Sequence, residues 1–441
     1  MKLLTKNFSL PIPHPPQMSN KGNYIISLSN FISWLGQQAE DIGVEIYPGF
    51  SAAGINWKDG KVAGVVTNEI GLDKNGNPKE QYEPGMVFNA KVTLLSEGVH
   101  GSLSQKIINK FNLRDGKDEQ TYGIGIKEVW RIDPSKHNPG EIVHTLGWPL
   151  DNETYGGSFC YHMEDNLISI GLVIGLDYKN PYLSPFKEFQ RMKHHPTFKN
   201  LLEGGECIAY GGRSLNEGGL QSIPQLHFPG GALIGCSAGF VNVPKIKGVH
   251  NAMKSGMLAA ENIAENINIE DEFEPASIDM KGYEDKVKNS WIWNELNEVR
   301  NIRPSFHSFL GNLGGIIYSG IDSLFLKGKT PWTFRHPGPD YSETKPMHDY
   351  KPIQYPNPDN KLSFDIMTSV SRTSTNHAEN QPVHLKLKSS PKYHVDQNVG
   401  NYAGLLGRAC PAGVYEYRSV EDDGGEEDSL GHKFVINSQN W

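Results

Sequence analysis

Two segments of this sequence repeat one order of elements: an apolar strand, a glycine-rich turn and a helix. The first reads VTLLSEGVHGSLSQ at residues 92–105, and the second, at residues 230–262, opens with GGALIGCSAGF. The glycines of interest are Gly98 and Gly101 in the first segment, and Gly235, Gly239 and Gly248 in the second. Glycine lets a backbone approach a phosphate, and a helix N-terminus offers N–H donors. The pair therefore predicts a nucleotide held from two directions, although each turn alone is more typical of an ordinary strand-to-helix connection.

The pyrophosphate motif of Rossmann-type domains is missing from this pattern. Those domains normally begin with a strand, a G-x-G-x-x-G turn and a helix. No G-x-G-x-x-G opens a helix in these 441 residues. The predicted nucleotide-binding layer therefore departs from the usual form.

Between the two segments the pattern changes to short strands joined by turns. Residues 121–178 contain four strand-like runs, which predict an antiparallel sheet and not a βαβ layer. Within this region TYGGSF places Gly156 and Gly157 between aromatic residues. Glycine inside a strand often marks the close approach of a ligand, and a β-bulge is the alternative.

Periodicity and turn residues predict the remaining elements. Apolar residues at helical spacing predict helices at residues 30–43, 184–202, 249–267 and 283–300. Asp59-Gly60 between two alternating runs predicts a β-hairpin. VEIYPG, at residues 44–49, predicts a short strand.

Four cysteines limit the redox chemistry of the chain: Cys160, Cys207, Cys236 and Cys410, with no C-x-x-C pair. So few cysteines argue against a secreted disulfide framework and for a reducing compartment. Cys160 and Cys236 lie in apolar runs and are predicted to be small core residues. Cys410 opens CPAGVYEY, and a cysteine followed by proline also occurs in iron–sulfur ligand runs. A cluster normally needs four thiolates, so three more would have to come from elsewhere.

Charge and hydropathy bear on the partners of the chain. The formal net charge is −8 and no basic region stands out, which predicts no nucleic-acid partner. The sequence contains no run of 18 uncharged apolar residues, so it predicts no transmembrane helix. Residues 291–326 contain Trp291, Trp293 and apolar residues at helical spacing, with Lys327 and Lys329 following. This is typical of a helix lying in a membrane surface, and the alternative is a buried core helix that contains glycines.

Several long strings together resemble one family, the electron transfer flavoprotein–ubiquinone oxidoreductases. The strings are LNEGGLQSIPQLHFPGGALIGCSAGFVNVPKIKGVHNAMKSGMLAAE, KNSWIWNELNEVRNIRPS, TYGGSFCYH, NPYLSPFKEFQRMKHHP and CPAGVYEY. The resemblance runs from about residue 10 to the C-terminus. Strings of this length are far more specific than a lone glycine motif.

The resemblance implies an FAD enzyme with a 4Fe–4S cluster. Such an enzyme takes electrons from reduced electron transfer flavoprotein and reduces ubiquinone at a membrane surface, linking fatty-acid and amino-acid oxidation to the respiratory chain. It implies the matrix face of the mitochondrial inner membrane, or the inner membrane of a bacterium. An electron relay needs no acid–base pair or nucleophile, and none is predicted.

The resemblance also assigns residues. It implies that the backbone of Gly156 and Gly157 meets the quinone and that Cys410 is the first cluster cysteine. It also implies that the turn with Gly235 and Gly239, and the residues Asn242 and Gly248 after it, lie against FAD. The strand–turn–helix pattern adds Gly98 and Gly101 to the residues expected there.

Two departures from the family pattern lead to a further expectation. Family members begin upstream with the strand–G-x-G-x-x-G–helix unit and another membrane-surface helix, and they continue with Asn-Cys and a C-x-x-C-x-x-C set. Here VINSQN precedes Trp441, which stands where the second cluster cysteine is expected. We therefore expect a fragment or a truncated gene model that binds little FAD and no stable cluster.

The predicted fold mixes α+β and α/β parts. It comprises a glutathione-reductase-like FAD-binding fold, incomplete at its N-terminus, an antiparallel-sheet quinone domain and a small, truncated ferredoxin-like 4Fe–4S domain. The predicted divisions are 1–115 and 205–282 for FAD, 116–204 for ubiquinone, 283–336 for membrane-surface helices and 337–441 for the cluster. The alternatives are a related FAD-dependent reductase or hydroxylase resembling geranylgeranyl reductase, which would need no cluster domain, and a non-catalytic membrane-associated fragment.

Overall fold

The computed structural model describes residues 1–268, 270, 272–423 and 427–440. Its strands are β1 (Lys2–Leu4), β2 (Ser9–Pro11), β3 (Ala52–Lys58), β4 (Lys61–Thr67), β5 (Ile70–Leu72), β6 (Pro78–Glu83), β7 (Val87–Asn89), β8 (Thr93–Leu95), β9 (Tyr122–Arg131), β10 (Ile142–Gly147), β11 (Gly156–His162), β12 (Leu167–Gly175), β13 (Glu206–Asn216), β14 (His227–Phe228), β15 (Gly231–Leu233), β16 (Tyr415–Ser419) and β17 (His432–Ile436). Its α-helices are α1 (Leu28–Asp41), α2 (Ser102–Lys110), α3 (Pro185–Met192), α4 (Pro196–Leu202), α5 (Val249–Asn266), α6 (Lys281–Lys288), α7 (Trp291–Glu298), α8 (Gly311–Ile321), α9 (Ile366–Val370), α10 (Pro391–Tyr402), α11 (Leu405–Ala409) and α12 (Val420–Asp423). Trp441, expected in the place of a cluster cysteine, lies outside the described residues.

A seven-stranded sheet forms the centre of the fold, in the order β13-β9-β12-β11-β10-β1-β2. Strands β9 to β12 are the four runs predicted at 121–178, and they pair antiparallel as expected. The chain start joins the same sheet, because β1 pairs parallel with β10. The predicted division at residue 204 falls just before β13, which pairs with β9 along its whole length.

One face of the large sheet carries the first hydrophobic core, which includes Trp130, Phe189 and Phe198. The helical region predicted at 184–202 covers this face as two helices, α3 and α4, and not as one. The break falls before Pro196, because proline has no N–H for the hydrogen bond that a continuous helix needs. His195 caps the second helix, since its Nδ1 accepts the Thr197 N–H at 3.1 Å.

A second layer surrounds a three-stranded sheet, β14-β15-β8, in which β15 runs parallel to β8. Helices α2, α5, α6 and α7 contribute to the second core, with Ile107, Leu258 and Tyr283 among its buried residues. Helix α5 confirms the prediction at 249–267. The helix predicted at 283–300 is wrong as a single element: α6 ends at Lys288, and α7 starts after Ser290, whose side chain accepts the Ile292 N–H.

The first hundred residues contain one confirmed hairpin and one wrong strand. Strands β3 and β4 turn at Asp59 and Gly60, both with positive φ, as a two-residue hairpin loop requires. Residues 44–49 form no strand in the described structure, since no neighbouring strand pairs with them there. Helix α1 confirms the helix predicted at 30–43, and none of its residues is buried.

The C-terminal segment docks against the edge of the large sheet. Arg408 donates to the Pro181 carbonyl at 2.9 and 3.1 Å, and the Tyr210 hydroxyl donates to the Pro411 carbonyl at 2.6 Å. At Gly212 on β13, an added Cβ would lie 2.9 Å from Pro411 Cγ. The turn that carries Cys410 is therefore fixed against β13 by the Tyr210 hydrogen bond and close packing, and Arg408 ties it to Pro181.

Candidate functional site

The two glycine turns predicted to hold a nucleotide lie side by side. Their strands, β8 and β15, are parallel neighbours with Leu95 opposite Leu233, so both turns leave the same edge of one sheet. The Ser237 hydroxyl donates to the Gly98 carbonyl at 3.4 Å and joins the turns. Ligands in open α/β sheets bind outside the carboxyl ends of the strands. The structure therefore brings together the two backbone segments that the sequence analysis singled out.

The helix after the first turn does not offer its N-terminus to a phosphate. The Glu97 carboxylate accepts the Leu103 N–H at 3.1 Å, the Ser104 N–H at 2.5 Å and the Ser104 hydroxyl at 2.7 Å. Gly101 permits this arrangement, because an added Cβ would collide with the Glu97 side chain. The expectation of free N–H donors at α2 is wrong, since a carboxylate of the chain itself occupies that positive end.

The second turn leads to a helix start that no side chain caps. Gly248 precedes α5 without a side-chain hydrogen bond to the first turn. The loop before it is closed by Asn242, whose backbone N–H donates to the Lys247 carbonyl at 2.9 Å. The Asn242 side chain is fully buried and donates to Glu295 at 3.0 Å. Asn242 therefore shapes the loop from inside.

Glu295 on α7 is the anchor of this loop, and the sequence analysis did not identify it. Lys245 Nζ donates to its carboxylate at 2.6 Å, and His250 Nε2 lies 2.8 Å from the other oxygen. Burial alone would raise the pKa of Glu295, but hydrogen bonds from His250, Lys245 and Asn242 outweigh it and lower the pKa to about 2. Glu295 therefore stays ionised and holds the loop at neutral pH.

Gly156 and Gly157 open strand β11, in the interior of the large sheet. An added Cβ on Gly157 would lie 2.5 Å from the Thr145 carbonyl oxygen, and one on Gly156 would lie 2.6 Å from Leu150 Cδ1. The pairing of β11 with β12 runs without a register shift, so the β-bulge alternative is wrong. Close packing by itself requires glycine at both positions.

The loop before these glycines is tied to helix α8. Asn312 at the start of α8 donates to the Thr154 carbonyl at 2.7 Å, and the Leu313 N–H donates to Asn152 at 3.0 Å. Around the helix, large apolar side chains face solvent: Phe309 (96% exposed), Leu313 (56%), Ile317 (53%) and Phe325 (78%). An apolar surface therefore adjoins the loop that leads into Gly156.

The stretch predicted as a membrane surface, 291–326, divides into two kinds of structure. Ile292 and Leu296 on α7 are buried in the second core, which fits the core alternative for that part. Trp291 at the start of α7 is 44% exposed, and the other exposed large apolar side chains of the stretch belong to α8 and the residues around it. Among the described helices, none combines the length and the apolar character needed to cross a bilayer.

A group of buried ionisable side chains lies next to Tyr155, and the sequence analysis did not predict it. Arg303 is 3% exposed; its Nη2 donates to Asp177 at 2.7 Å and its Nε to Glu217 at 3.0 Å. Its guanidinium carbon lies 4.0 Å from the centre of the Tyr155 ring. His307 Nε2 is 3.3 Å from Arg303 Nη1. We call Asp177, Glu217, Arg303, His307, His336 and Asp340 the acid cluster.

Burial and one shared arginine set the protonation of the acid cluster. Burial raises the pKa of Glu217, against the lowering effect of Arg303. Burial would also raise the pKa of Asp177, but Arg303 lowers it below its usual range. Burial and Arg303 lower the pKa of His307 to about 4, so His307 is neutral near pH 7.

Family comparisons decide the affiliation of the chain. A model described as "ETF-QO, ubiquinone-binding" matches residues 122–215, and one described as "Electron transfer flavoprotein-ubiquinone oxidoreductase, 4Fe-4S" matches residues 360–441. A probable mitochondrial electron transfer flavoprotein–ubiquinone oxidoreductase of Schizosaccharomyces pombe is 55% identical over 441 residues, covering 100% of this chain and 68% of that protein. The chain belongs to the electron transfer flavoprotein–ubiquinone oxidoreductase family. The Rattus norvegicus member is 52% identical over 444 residues, covering 99% of this chain and 71% of its own length.

Family membership confirms the resemblance and decides against a geranylgeranyl-reductase-like enzyme. A solved geranylgeranyl bacteriochlorophyll reductase-like structure from Thermoplasma acidophilum covers 68% of this chain and 65% of its own, at 17% identity and a TM-score of 0.45. A superposition that loose supports no argument about function.

Within the family's 4Fe–4S segment, Cys410 is 6% exposed. In the described residues no three His, Cys, Asp or Glu side chains come together as metal ligands. Cys160 and Cys207 are buried in the core of the large sheet, which confirms the prediction for Cys160. Cys236 is only partly buried in its glycine turn, so its prediction as a core residue is wrong.

Proposed function

We propose that this chain takes electrons from reduced electron transfer flavoprotein and reduces ubiquinone to ubiquinol, with FAD and a 4Fe–4S cluster as cofactors. The observation that carries the proposal is 55% identity over all 441 residues with a relative that bears this name. The chain spans 68% of that relative's length. We assign the fold to the glutathione-reductase-like FAD-binding type, with a quinone domain on the large sheet and a C-terminal cluster domain.

The glycine turns suit FAD. A Cβ on Gly98 would meet no atom within 4 Å, so the backbone there has open space on one side. Gly235 and Gly239 lie in the adjoining turn, and the uncapped start of α5 adds backbone N–H donors beside them. FAD, when bound, supplies the redox chemistry between the flavoprotein donor and the quinone. The chain contributes a rigid backbone cradle, which Asn242 and Glu295 hold in place.

Cys410 can supply one thiolate of the cluster. A cluster of four irons normally needs four thiolates, and the described residues gather no group of three or more metal-ligating side chains around Cys410. We therefore derive no step through the cluster from this structure.

Ubiquinone would reach the backbone of Gly156 and Gly157 from the apolar surface around α8. Ubiquinone is apolar and dissolves in the bilayer, so an entrance beside exposed Phe309, Leu313 and Phe325 shortens its path. Such a surface lies in the membrane interface without crossing it. We therefore place the protein on a membrane surface, the matrix face of the mitochondrial inner membrane in a eukaryote.

The activity test uses protein loaded with FAD, reduced electron transfer flavoprotein as donor and ubiquinone-1 as acceptor. We expect turnover that needs both substrates. Reduction of ubiquinone-1 by NADPH, with no effect of the flavoprotein, would contradict the proposal. Flavin absorbance of the purified chain separately tests whether this chain alone retains FAD; a flavin-free chain with no turnover after FAD loading would support a non-catalytic fragment.

The membrane test compares two triple variants in sedimentation with phosphatidylcholine vesicles that contain an anionic lipid. We expect Leu313→Ser with Ile317→Ser and Phe325→Ser to lose most vesicle binding. The control replaces three similarly exposed apolar residues of helix α1 and the residue after it, Ile32, Leu35 and Ile42, by serine. Equal loss in both variants would show general hydrophobic adhesion and refute a specific role of α8.

A further inference from the structure

The acid cluster holds more carboxylates than cations. Asp177, Glu217 and Asp340 face one arginine, Arg303, whose guanidinium touches the first two. The histidines add no compensating charge near neutral pH, because burial lowers the pKa of both His307 and His336. One positive charge cannot compensate three buried carboxylates. The cluster is therefore built to hold at least one proton in addition to the arginine charge.

Asp340 is the member best suited to hold that proton. It is 8% exposed, and its Oδ2 accepts the Tyr122 N–H at 2.6 Å. Its other oxygen, Oδ1, is buried and has no hydrogen-bond partner in the described part of the chain. A buried carboxylate oxygen without a donor is costly, whereas a carboxylic acid removes the charge.

The ionisable groups that act on Asp340 agree with this assignment. Burial raises its pKa most, and Asp177 and Glu217 raise it further, while the Tyr122 N–H and Arg303 lower it. The result is a pKa of about 7. Tyr122 itself is neutral, because burial raises its pKa.

His336 offers a second unpaired atom beside the cluster. Its ring lies 5.9 Å from that of His307, and its Nε2 is 2.9 Å from the Gly218 carbonyl oxygen. Its Nδ1 is buried without a partner in the described residues. The cluster thus contains two unpaired polar atoms on side chains that are more than nine-tenths buried.

The acid cluster lies between the two candidate ligand sites. On one side Arg303 packs on Tyr155, which directly precedes Gly156. On the other side Asn216, the neighbour of Glu217, donates to the Val99 carbonyl at 3.2 Å, within the first glycine turn. A chain of contacts therefore runs from the proposed FAD turn through the cluster to the proposed quinone glycines.

We propose that the acid cluster stores protons for ubiquinone reduction, with Asp340 as the proton-storing residue. This inference rests on the proposed function, in which ubiquinone takes up two electrons and two protons to become ubiquinol. The electrons come from reduced electron transfer flavoprotein. For each stored proton, the O–H bond of the Asp340 carboxyl breaks and an O–H bond forms at a quinone oxygen, by relay through the cluster. Solvent then reprotonates the Asp340 carboxylate.

The test compares a proton-coupled acceptor with one that takes electrons only. Ubiquinone-1 and ferricyanide are used in turn with the holoenzyme, reduced electron transfer flavoprotein and a range of pH. For the wild type we expect ubiquinone reduction to fall as pH rises through about 7, where Asp340 loses its proton. For Asp340→Asn we expect a loss of about 10-fold or more below that pH, with the fall near pH 7 absent. Ferricyanide reduction should stay unchanged, and Asp340→Glu should recover part of the quinone activity.

Controls separate this role from a structural one. Glu188→Gln removes another buried carboxyl, which lies outside the acid cluster and forms an ion pair with Arg191 at 2.7 Å. This variant should leave the pH profiles of ubiquinone and ferricyanide reduction unchanged. Infrared difference spectra of the chain should show a carboxylic-acid C=O band that titrates near pH 7 and is absent in Asp340→Asn. An equal loss with ferricyanide, or an unchanged quinone profile in Asp340→Asn, would overturn the inference while leaving the proposed function intact. A wild type that cannot reduce ubiquinone would overturn both, and the infrared band would still report whether Asp340 holds a proton.

Discussion

Replacement of Arg303 by methionine tests the electrostatics of the acid cluster. Methionine keeps most of the volume but leaves Asp177 and Glu217, 8% and 5% exposed, without their shared cation. Breaking a buried ion pair from one side costs about 3–5 kcal/mol. In the variant both carboxylates should have raised pKa values, so their protonated forms are favoured in the folded state. Stability then falls as pH rises through those values, by about 1.4 kcal/mol per pH unit for each carboxylate that must ionise.

The wild type should respond to pH in the opposite sense at Asp177. Its pKa is held low in the folded state, so it adds stability above its unfolded pKa of 3.8 and loses it as pH falls. The gap between wild type and Arg303→Met should therefore widen from mildly acidic to neutral pH.

Urea unfolding, followed by tryptophan fluorescence at both pH values, measures that gap. Arg131→Met is the matched control, because Arg131 pairs with Glu206 at 3.8 Å with both side chains largely exposed. That change should cost less than about 1 kcal/mol. Adding Glu217→Gln to Arg303→Met should recover part of the loss, since one uncompensated charge is removed. A cost no larger than that of the control, or one independent of pH, would refute the electrostatic reasoning.

Two further substitutions test the loop at residues 242–248 and the packing of β13 against the Cys410 turn. Glu295→Ala removes the anchor of residues 242–248. We expect the free energy of unfolding, measured in urea at neutral pH, to fall by about 2 kcal/mol, and this difference should shrink as pH falls toward 2. Flavin fluorescence titration should show weaker FAD binding. Gly212→Ala puts a Cβ 2.9 Å from Pro411 Cγ and should lower stability by about 1 kcal/mol, whereas Gly211→Ala, where a Cβ meets nothing within 4 Å, should not lower it for steric reasons. Thermal unfolding distinguishes the two glycine variants, and equal shifts would count against the packing argument.

The parts of the fold that depend on local sequence were predictable. The runs of β9 to β12 alternate and end in turns, and the antiparallel pairing of β10 with β11 and of β11 with β12 follows from short connections. The pairing of β9 with β12 joins strands that are not consecutive in the chain. Pairings between distant segments were not predictable in this way. Strand β13 pairs with β9 across more than seventy intervening residues, and the short β1 joins β10 from the chain start. Residues 44–49 show the converse, because strand-like composition without a hydrogen-bonding neighbour produces no strand.

The candidate site likewise has parts that local sequence predicts and parts that depend on contacts between distant segments. The two glycine turns were predictable because each lies within one strand–turn–helix segment, and Ser237 indeed contacts Gly98. Glu97 lies within the first turn, yet its role as the anion at the start of α2 depends on a backbone reversal that composition does not specify.

The acid cluster could not be predicted from spacing, because Asp177, Glu217, Arg303 and Asp340 are far apart in the sequence. Each of these residues read alone is typical of a solvated loop, and only the fold buries them together. A weak signal does exist in two glycines at strand ends. A Cβ on Gly175 would lie 2.5 Å from Asp177 Oδ1 and 3.1 Å from Arg303 Nη2, and one on Gly123 would lie 3.0 Å from the Glu217 carboxyl carbon. These glycines make room for buried carboxylates and not for a ligand. Glycine in a strand therefore indicates that another group packs closely against the backbone, and only the folded structure shows whether that group is a side chain or a ligand.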